Sequence, residues 1–247
     1  MTNHPHRKKW GQNFIEDPNI INKIVDVINP RKDDNIIEIG PGQGAITNKL
    51  HNRVNKLVAV EIDPLLCEPL KETLSSETQI INQDILKLDF NNYSNYNKIV
   101  GNLPYYITTP IIFKVLQHPF WDTSVFMVQK EVAERIVAVP GNKVYGRLSV
   151  MVQVMADVNK RFDISKNIFH PKPKVDSSLI ELTIKKNNDL NNLNILSDIV
   201  RTSFGQRRKM LKNSLNNLIP IHAYDKYKNK RPEELSVDNY IEISNNI

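Results

Sequence analysis

The sequence predicts an α/β fold, a mostly parallel sheet with an antiparallel edge, followed by a small helical C-terminal domain. Three observations predict it. Apolar runs of strand length alternate with segments of helical spacing over most of the first 140 residues. A glycine-rich loop, Gly40-Pro-Gly42-Gln-Gly44, stands directly between the first such strand and a helix. A polar, asparagine-rich stretch at 187–194 then separates this pattern from a remainder with helical spacing. The expected domains are therefore 1–186 and 187–247.

Taken in order, Arg7, Lys8 and Lys9 form a basic arm beside Trp10, suited to phosphate contact and stacking, or simply a charged terminus. Ile20, Ile21, Ile24, Val25 and Ile28 recur at helical spacing behind Asp17-Pro18, and Asn29-Pro30 ends that helix. Residues 35–39 read as a strand running into the glycine loop, and the helix beyond it carries Ile46, Leu50 and Val54. A second strand, 57–62, holds Glu61 near its end, about 20 positions past the first glycine, where a carboxylate suits ribose hydroxyls. The loop spells G-x-G-x-G rather than the G-x-G-x-x-G of dinucleotide folds, which favours a nucleoside ligand without pyrophosphate over NAD.

After a helix at 65–74, residues 79–85 form the third expected strand. Asp84 at its end is placed to accept a hydrogen bond from an adenine amino group, or to cap a turn, and Ile85 offers apolar contact. A fourth strand closes on Asn102. Helix 108–117, strand 124–129, helix 130–139 stopped by Pro140-Gly141, helix 148–155 and a strand pair at 159–164 and 177–184 complete the domain. Between that pair, Phe169-His-Pro-Lys172-Pro-Lys174 is stiffened by two prolines. Its lysines suit phosphates and Phe169 is a candidate to pack on a base opposite Tyr105, unless the segment is only a rigid connector. In the C-terminal domain a helix is expected over 195–218, where Arg201, Arg207, Arg208, Lys209 and Lys212 have no acidic neighbour within their window. Such a run is either a solvated face or an RNA-backbone contact. Arg231-Pro-Glu-Glu-Leu-Ser reads as a turn leading into a capped final helix.

Composition narrows the classes of function. The 247 residues, 40% of them hydrophobic, suffice for a sizeable core, and a net charge of +6 points to a polyanionic partner. The single cysteine, Cys67, excludes a disulfide framework and a cysteine-based metal site, and the six histidines show no metal spacing, so no metal is expected. A reducing, cytoplasmic location follows. No apolar run approaches about 18 residues, and no membrane partner is expected.

The stretch with most chemical content is Asn102-Leu103-Pro104-Tyr105. It places a side-chain amide, a turn exposing backbone carbonyls and an aromatic ring where a strand meets solvent. An exocyclic amino group on a nucleobase is a poor nucleophile because its lone pair is delocalised into the ring. Acceptors on its hydrogens, here the Asn102 side-chain oxygen and the Leu103 carbonyl, favour a pyramidal nitrogen, and Tyr105 stacking on the base contributes roughly 1–3 kcal/mol. The plainer reading is a strand followed by a proline turn whose tyrosines only pack.

GQNF, EIGPGQG with Glu61, the Asp84 strand end, NLPYYITTP, FHPKPKVDSS, FGQRRKMLKNSL and RPEELS occur in the order seen in ribosomal RNA adenine dimethyltransferases of the KsgA/RsmA type, and the chain resembles that family over nearly its whole length. The resemblance implies a class I S-adenosylmethionine-dependent methyltransferase (Rossmann-like) sheet with a small all-α C-terminal domain. It implies methyl transfer from S-adenosylmethionine to N6 of two adjacent adenosines near the 3′ end of small-subunit ribosomal RNA, in an immature subunit, by a monomer. Carried onto this chain, the family's cofactor positions fall on Asn13, Ile15, Gly40, Glu61, Asp84 and Asn102, and its catalytic tetrad on residues 102–105. Gly42 and Ile85 belong to the same cofactor set by their place in loop and strand. Two other functions remain open on sequence: a large-subunit dimethyltransferase of the antibiotic-resistance type, and a ribosome-assembly factor whose catalysis is incidental.

Overall fold

The computed structural model describes residues 10–74, 77–186 and 190–247. Arg7, Lys8 and Lys9 and the start of the 187–194 stretch lie outside these. The chain forms two compact units, one comprising Met1–Ala133 with Asn159–Ile184, the other Glu134–Val158 with Lys185–Ile247. The division expected at residue 187 does not anticipate the excursion at 134–158. Its helix, Arg147–Met155, is buried along almost its whole length and packs with C-terminal helices, so apolar burial rather than sequence proximity assigns it.

In the first unit, β1 (Phe14–Ile15), α1 (Pro18–Ile28), β2 (Asn35–Ile39), α2 (Thr47–Leu50), β3 (Lys56–Glu61), α3 (Pro64–Thr73), β4 (Thr78–Asn82), β5 (Lys98–Asn102), α4 (Thr108–Leu116) and β6 (Thr123–Gln129) follow in order. After α5 (Lys130–Ile136) and α6 (Arg147–Met155) come β7 (Ala156–Ile164), β8 (Phe169–His170) and β9 (Ser177–Ile184). The main sheet has the order β4-β3-β2-β5-β6-β9-β7, and β1 pairs separately with β8. Strands β2 to β6 pair in parallel and β9 runs antiparallel to β6. The central strands read as unbroken apolar runs because helices cover both faces of such a sheet. Ile36, Ile37, Val58, Val60, Ile99, Val100, Phe126 and Val128 are all essentially without solvent exposure.

Helix α1 starts where Asp17 Oδ1 accepts from the Asn19 and Ile20 N–H groups, and stops at Asn29, whose φ of 46° is left-handed. Two expected elements are shorter than their apolar spacing. The helix behind the glycine loop is a single turn, with Ile46 and Leu50 buried, and the third strand ends at Asn82 so that Asp84 caps a 3-10 turn at Ile85–Lys87.

The second unit packs α6, α7 (Leu193–Gly205) and α9 (Val237–Asn245) together, with Phe204 between the rings of Tyr145 and Tyr240 at 6.0 Å from each. The long helix expected over 195–218 is broken. After α7 the chain turns at 206–210 and resumes as α8 (Leu211–Ser214), which lets Leu211 and Leu215 reach the core. Arg207, Arg208 and Lys209 therefore stand on a turn rather than on one helix face. Ser236 and Asn239 form a reciprocal cap at the start of α9.

Candidate active site

The strand order places the site. From β2 the chain proceeds to β3 on one side, while β5 lies on the other, so the loops leaving the C-terminal ends of β2 and β5 part and leave a crevice. Gly101 lets those strands meet: a Cβ there would sit 2.5 Å from the Ile39 carbonyl oxygen. The crevice is a cleft open to solvent, and is lined by Asn13, Ile15, Gly40, Gly42, Glu61, Asp84, Ile85, Asn102, Leu103, Pro104 and Tyr105 among others. All residues that sequence placed on the cofactor and in the tetrad thus share one cavity.

Glu61 is nearly buried. Its Oε2 accepts from the Gly42 N–H at 3.1 Å and its Oε1 from the Asp63 N–H at 2.9 Å, which ties the end of β3 to the glycine loop. Burial pushes its pKa up, against those hydrogen bonds. Gly42 has a φ of +58°, and a Cβ on it would press the Phe14 ring at 2.9 Å, so only glycine fits between loop and β1.

The Asn102 side chain donates from Nδ2 to the Asn13 carbonyl at 2.9 Å, and the Leu103 N–H donates to the Met127 carbonyl at 3.0 Å. Tyr105 begins a 3-10 turn and is half-buried, with its hydroxyl 2.6 Å from Ser177 Oγ. Asp84 Oδ1 accepts from the Leu86 N–H at 2.9 Å, so this carboxylate caps a turn as well as lining the cleft.

Several residues that line or brace the cleft were not singled out from sequence. Glu38, in the middle of β2, faces the cleft with 2% exposure, and its Oε2 has no protein partner. Burial, reinforced by the neighbouring charge of Glu61, pushes its pKa up to about 7. A carboxylate interrupting the apolar run NIIEI was the available signal, since a central parallel strand is otherwise apolar. Gln12 donates to Asp63 Oδ2 at 2.9 Å. Ser177 carried no signal beyond its place in the FHPKPKVDSS stretch.

Phe169 does not lie open opposite Tyr105. Its strand pairs with β1 and its ring is 4% exposed in the core cluster with Ile15 and Ile164, where apolar burial outweighs a solvent-facing stacking role. Lys172 and Lys174 are exposed and outside the cleft lining. In the second unit Arg208 and Lys209 are exposed, but Arg207 is held by Glu233 at 3.7 Å and by the Asn142 carbonyl at 3.4 Å, and Arg201 pairs with Asp198 at 2.8 Å. The basic run is thus less free than its sequence window implies.

Among the described residues lining the cleft, Glu38, Glu61 and Asp84 are acidic, Asp63 adjoins them through Gln12, and none is Lys or Arg. Such a lining disfavours a phosphate-bearing ligand and suits one that carries positive charge. The sequence pattern described as "Ribosomal RNA adenine dimethylase" matches residues 3–247. The chain belongs to this family. A ribosomal RNA small subunit methyltransferase A of Legionella pneumophila (strain Lens) is 41% identical to it, with 98% of this chain and 97% of the relative covered. A dimethyladenosine transferase from Plasmodium falciparum superposes with a TM-score of 0.82 at 26% identity, covering 93% of this chain and 95% of the other. The 23S rRNA methyltransferase ErmE shares the fold, with a TM-score of 0.72 at 24% identity over 94% and 98% of the two chains. The fold of this adenine dimethylase family member is that of a class I methyltransferase, and no helix among the described residues is long and apolar enough to cross a membrane.

Proposed function

We propose that the chain transfers methyl groups from S-adenosylmethionine to N6 of two adjacent adenosines in a loop near the 3′ end of small-subunit ribosomal RNA, giving N6,N6-dimethyladenosine. One observation supports the reading most: a cleft whose charged lining is acidic opens beside an asparagine amide whose nitrogen is already engaged, so that its oxygen is the group left to meet a base.

The cleft fits the cofactor. Gly40 and Gly42 bring backbone close to a ligand, Glu61 suits ribose hydroxyls, Asp84 and Ile85 suit an adenine ring, and the orphan Oε2 of Glu38 offers a polar partner for the amino-acid end. When bound, S-adenosylmethionine supplies an already activated methyl on a sulfonium. The protein's part is therefore alignment, exclusion of water and placement of acceptors.

For the first transfer Asn102 Oδ1 and the Leu103 carbonyl accept the two N6 hydrogens of the target adenine and set its lone pair toward the methyl. One of those protons is released to solvent as the N–C bond forms and the C–S bond breaks, and the remaining hydrogen holds the monomethylated base for the second. Pro104 fixes the turn, and Tyr105 stacks on the base. The base leaves its own stack at a cost of a few kcal/mol, least in a loop or single strand. Lys172 and Lys174, with Arg208 and Lys209 in the second unit, meet RNA phosphates, and Arg207 contributes after leaving Glu233. The partner is ribosomal RNA in an immature small subunit, and the chain acts as a cytoplasmic monomer.

The test is mass spectrometry of nucleosides from unmodified small-subunit particles incubated with the protein and S-adenosylmethionine. N6,N6-dimethyladenosine in a 3′-terminal fragment is expected. Modification of large-subunit RNA instead, or none despite cofactor binding, overturns the reading.

A further inference from the structure

The proposed function leaves open what holds the stacking ring of Tyr105 in place. The Tyr105 hydroxyl lies 2.6 Å from Ser177 Oγ, behind the cleft rather than in it, since Ser177 is not among the lining residues. Ser177 is wholly buried and opens β9, opposite Gln129 of β6. The residue before it is pinned twice: the Asp176 carbonyl accepts from the Lys130 N–H at 3.0 Å, and Asp176 Oδ1 accepts from the Lys166 N–H at 2.9 Å. The turn that carries Tyr105 is fixed at its other end, where the Pro104 carbonyl accepts from the Ile107 N–H at 3.1 Å and from Thr108 Oγ1 at 3.0 Å.

A tyrosine ring has two torsional freedoms, and a stacking face acts only when both are set. The backbone turn sets neither completely. A hydroxyl–hydroxyl bond from the far end of the ring to an immobile strand fixes the direction of the ring's long axis. The preference of a phenol O–H for the ring plane biases rotation about that axis, at low entropic cost because the ring is rigid.

Resting on the methyl-transfer reading above, we infer that Ser177 is a positioning residue for this reaction: its hydroxyl holds the long axis of the Tyr105 ring where the ring can meet the target adenine. Because Ser177 directly follows the loop of Lys172 and Lys174, the same strand start joins the lysine loop to the ring. The serine touches neither cofactor nor substrate. Its effect is expected in the productive seating of the base and not in cofactor affinity.

The experiment compares wild type, Ser177→Ala, Ser177→Thr, Tyr105→Phe and the Ser177→Ala/Tyr105→Phe double variant, with unmodified small-subunit particles and labelled S-adenosylmethionine. Loss of one such bond is worth roughly fivefold. Ser177→Ala and Tyr105→Phe are each expected to lower kcat by roughly that factor, and the double variant by no more than either alone. Ser177→Thr keeps a hydroxyl on a residue suited to a strand and is expected to restore the rate. The Kd for S-adenosylmethionine should stay within about twofold of wild type throughout. Additive losses, or a Thr variant as slow as Ala, overturn the role. If the Ala variant does not fold, Tyr105→Phe decides, because it breaks the same bond without touching buried β9, and a wild-type rate there overturns the inference. A wild-type chain that methylates no RNA overturns the methyl-transfer reading itself; a wild type that does so at a rate matched by Ser177→Ala and Tyr105→Phe overturns this role alone.

Discussion

The Asn102 side-chain nitrogen donates to the backbone carbonyl of Asn13 across 2.9 Å, joining the last residue of β5 to the segment just before β1. An amide has one donor group and one acceptor group, so engaging the nitrogen fixes which way the oxygen points. Asn13 in turn is braced by its own side chain, which donates to the Gly11 carbonyl at 3.0 Å, and the neighbouring Gln12 is latched to Asp63. The N-terminal segment thus sets the orientation of the group on which the proposed chemistry depends.

Asn102→Ala removes both the acceptor and the anchor. Transfer is expected to fall by about 100-fold or more, the scale seen when a preorganised polar group is deleted at a reacting centre. Circular dichroism and cofactor titration should show a folded chain that still binds S-adenosylmethionine. Turnover equal to wild type contradicts the assignment.

Gly42→Ala places a methyl group 2.9 Å from the Phe14 ring at a left-handed backbone position. The strain costs about 1–2 kcal/mol and must displace either the loop or β1. Calorimetric titration is expected to show cofactor affinity reduced at least about tenfold. Unchanged affinity would mean that β1 yields freely.

Glu38 gives a pH signature. A carboxyl whose folded pKa stands at about 7 rather than 4.5 holds its proton more tightly in the folded state. Its contribution to stability is full below about 4.5, falls as pH rises through that window and is lost above about 7. Glu38→Gln, always neutral, is therefore expected to raise Tm relative to wild type more at about pH 8 than at about pH 5. Thermal melts without cofactor at both pH values test the sign; a difference independent of pH refutes the shift.

Neutralising Arg208 and Lys209 together should weaken RNA binding and reduce the slope of log affinity against log salt by about one for each phosphate no longer neutralised. Adding Arg207 to that pair is expected to change the slope less, because Arg207 is already engaged by Glu233 and the Asn142 carbonyl. Binding measured across a salt series separates the contributions. A slope that does not move shows that this turn does not meet RNA.

Local order determined much of this protein, and it was readable. The strand ends at Ile39 and Asn102, the caps at Asp17 and Ser236, the glycine loop and Glu61 all follow from apolar runs, turn residues and short-range spacing. The residues expected at a cofactor and in the tetrad line one cleft, because parallel strands bring the loops at their C-terminal ends to one edge of the sheet. What only the tertiary structure decided depends on burial and on partners far apart in the chain. Phe169 goes to the core rather than to a base, residues 134–158 join the helical unit, and Arg207 is engaged by an acid that lies beyond its own window. The amide of Asn102 is aimed by a carbonyl 89 positions away, and the ring of Tyr105 is held by a serine 72 positions away. Periodicity records which face of an element is apolar, but a hydrogen bond between two loops leaves no period in the sequence. For that reason the sequence offered candidates for the reacting groups, and the fold alone showed what holds them.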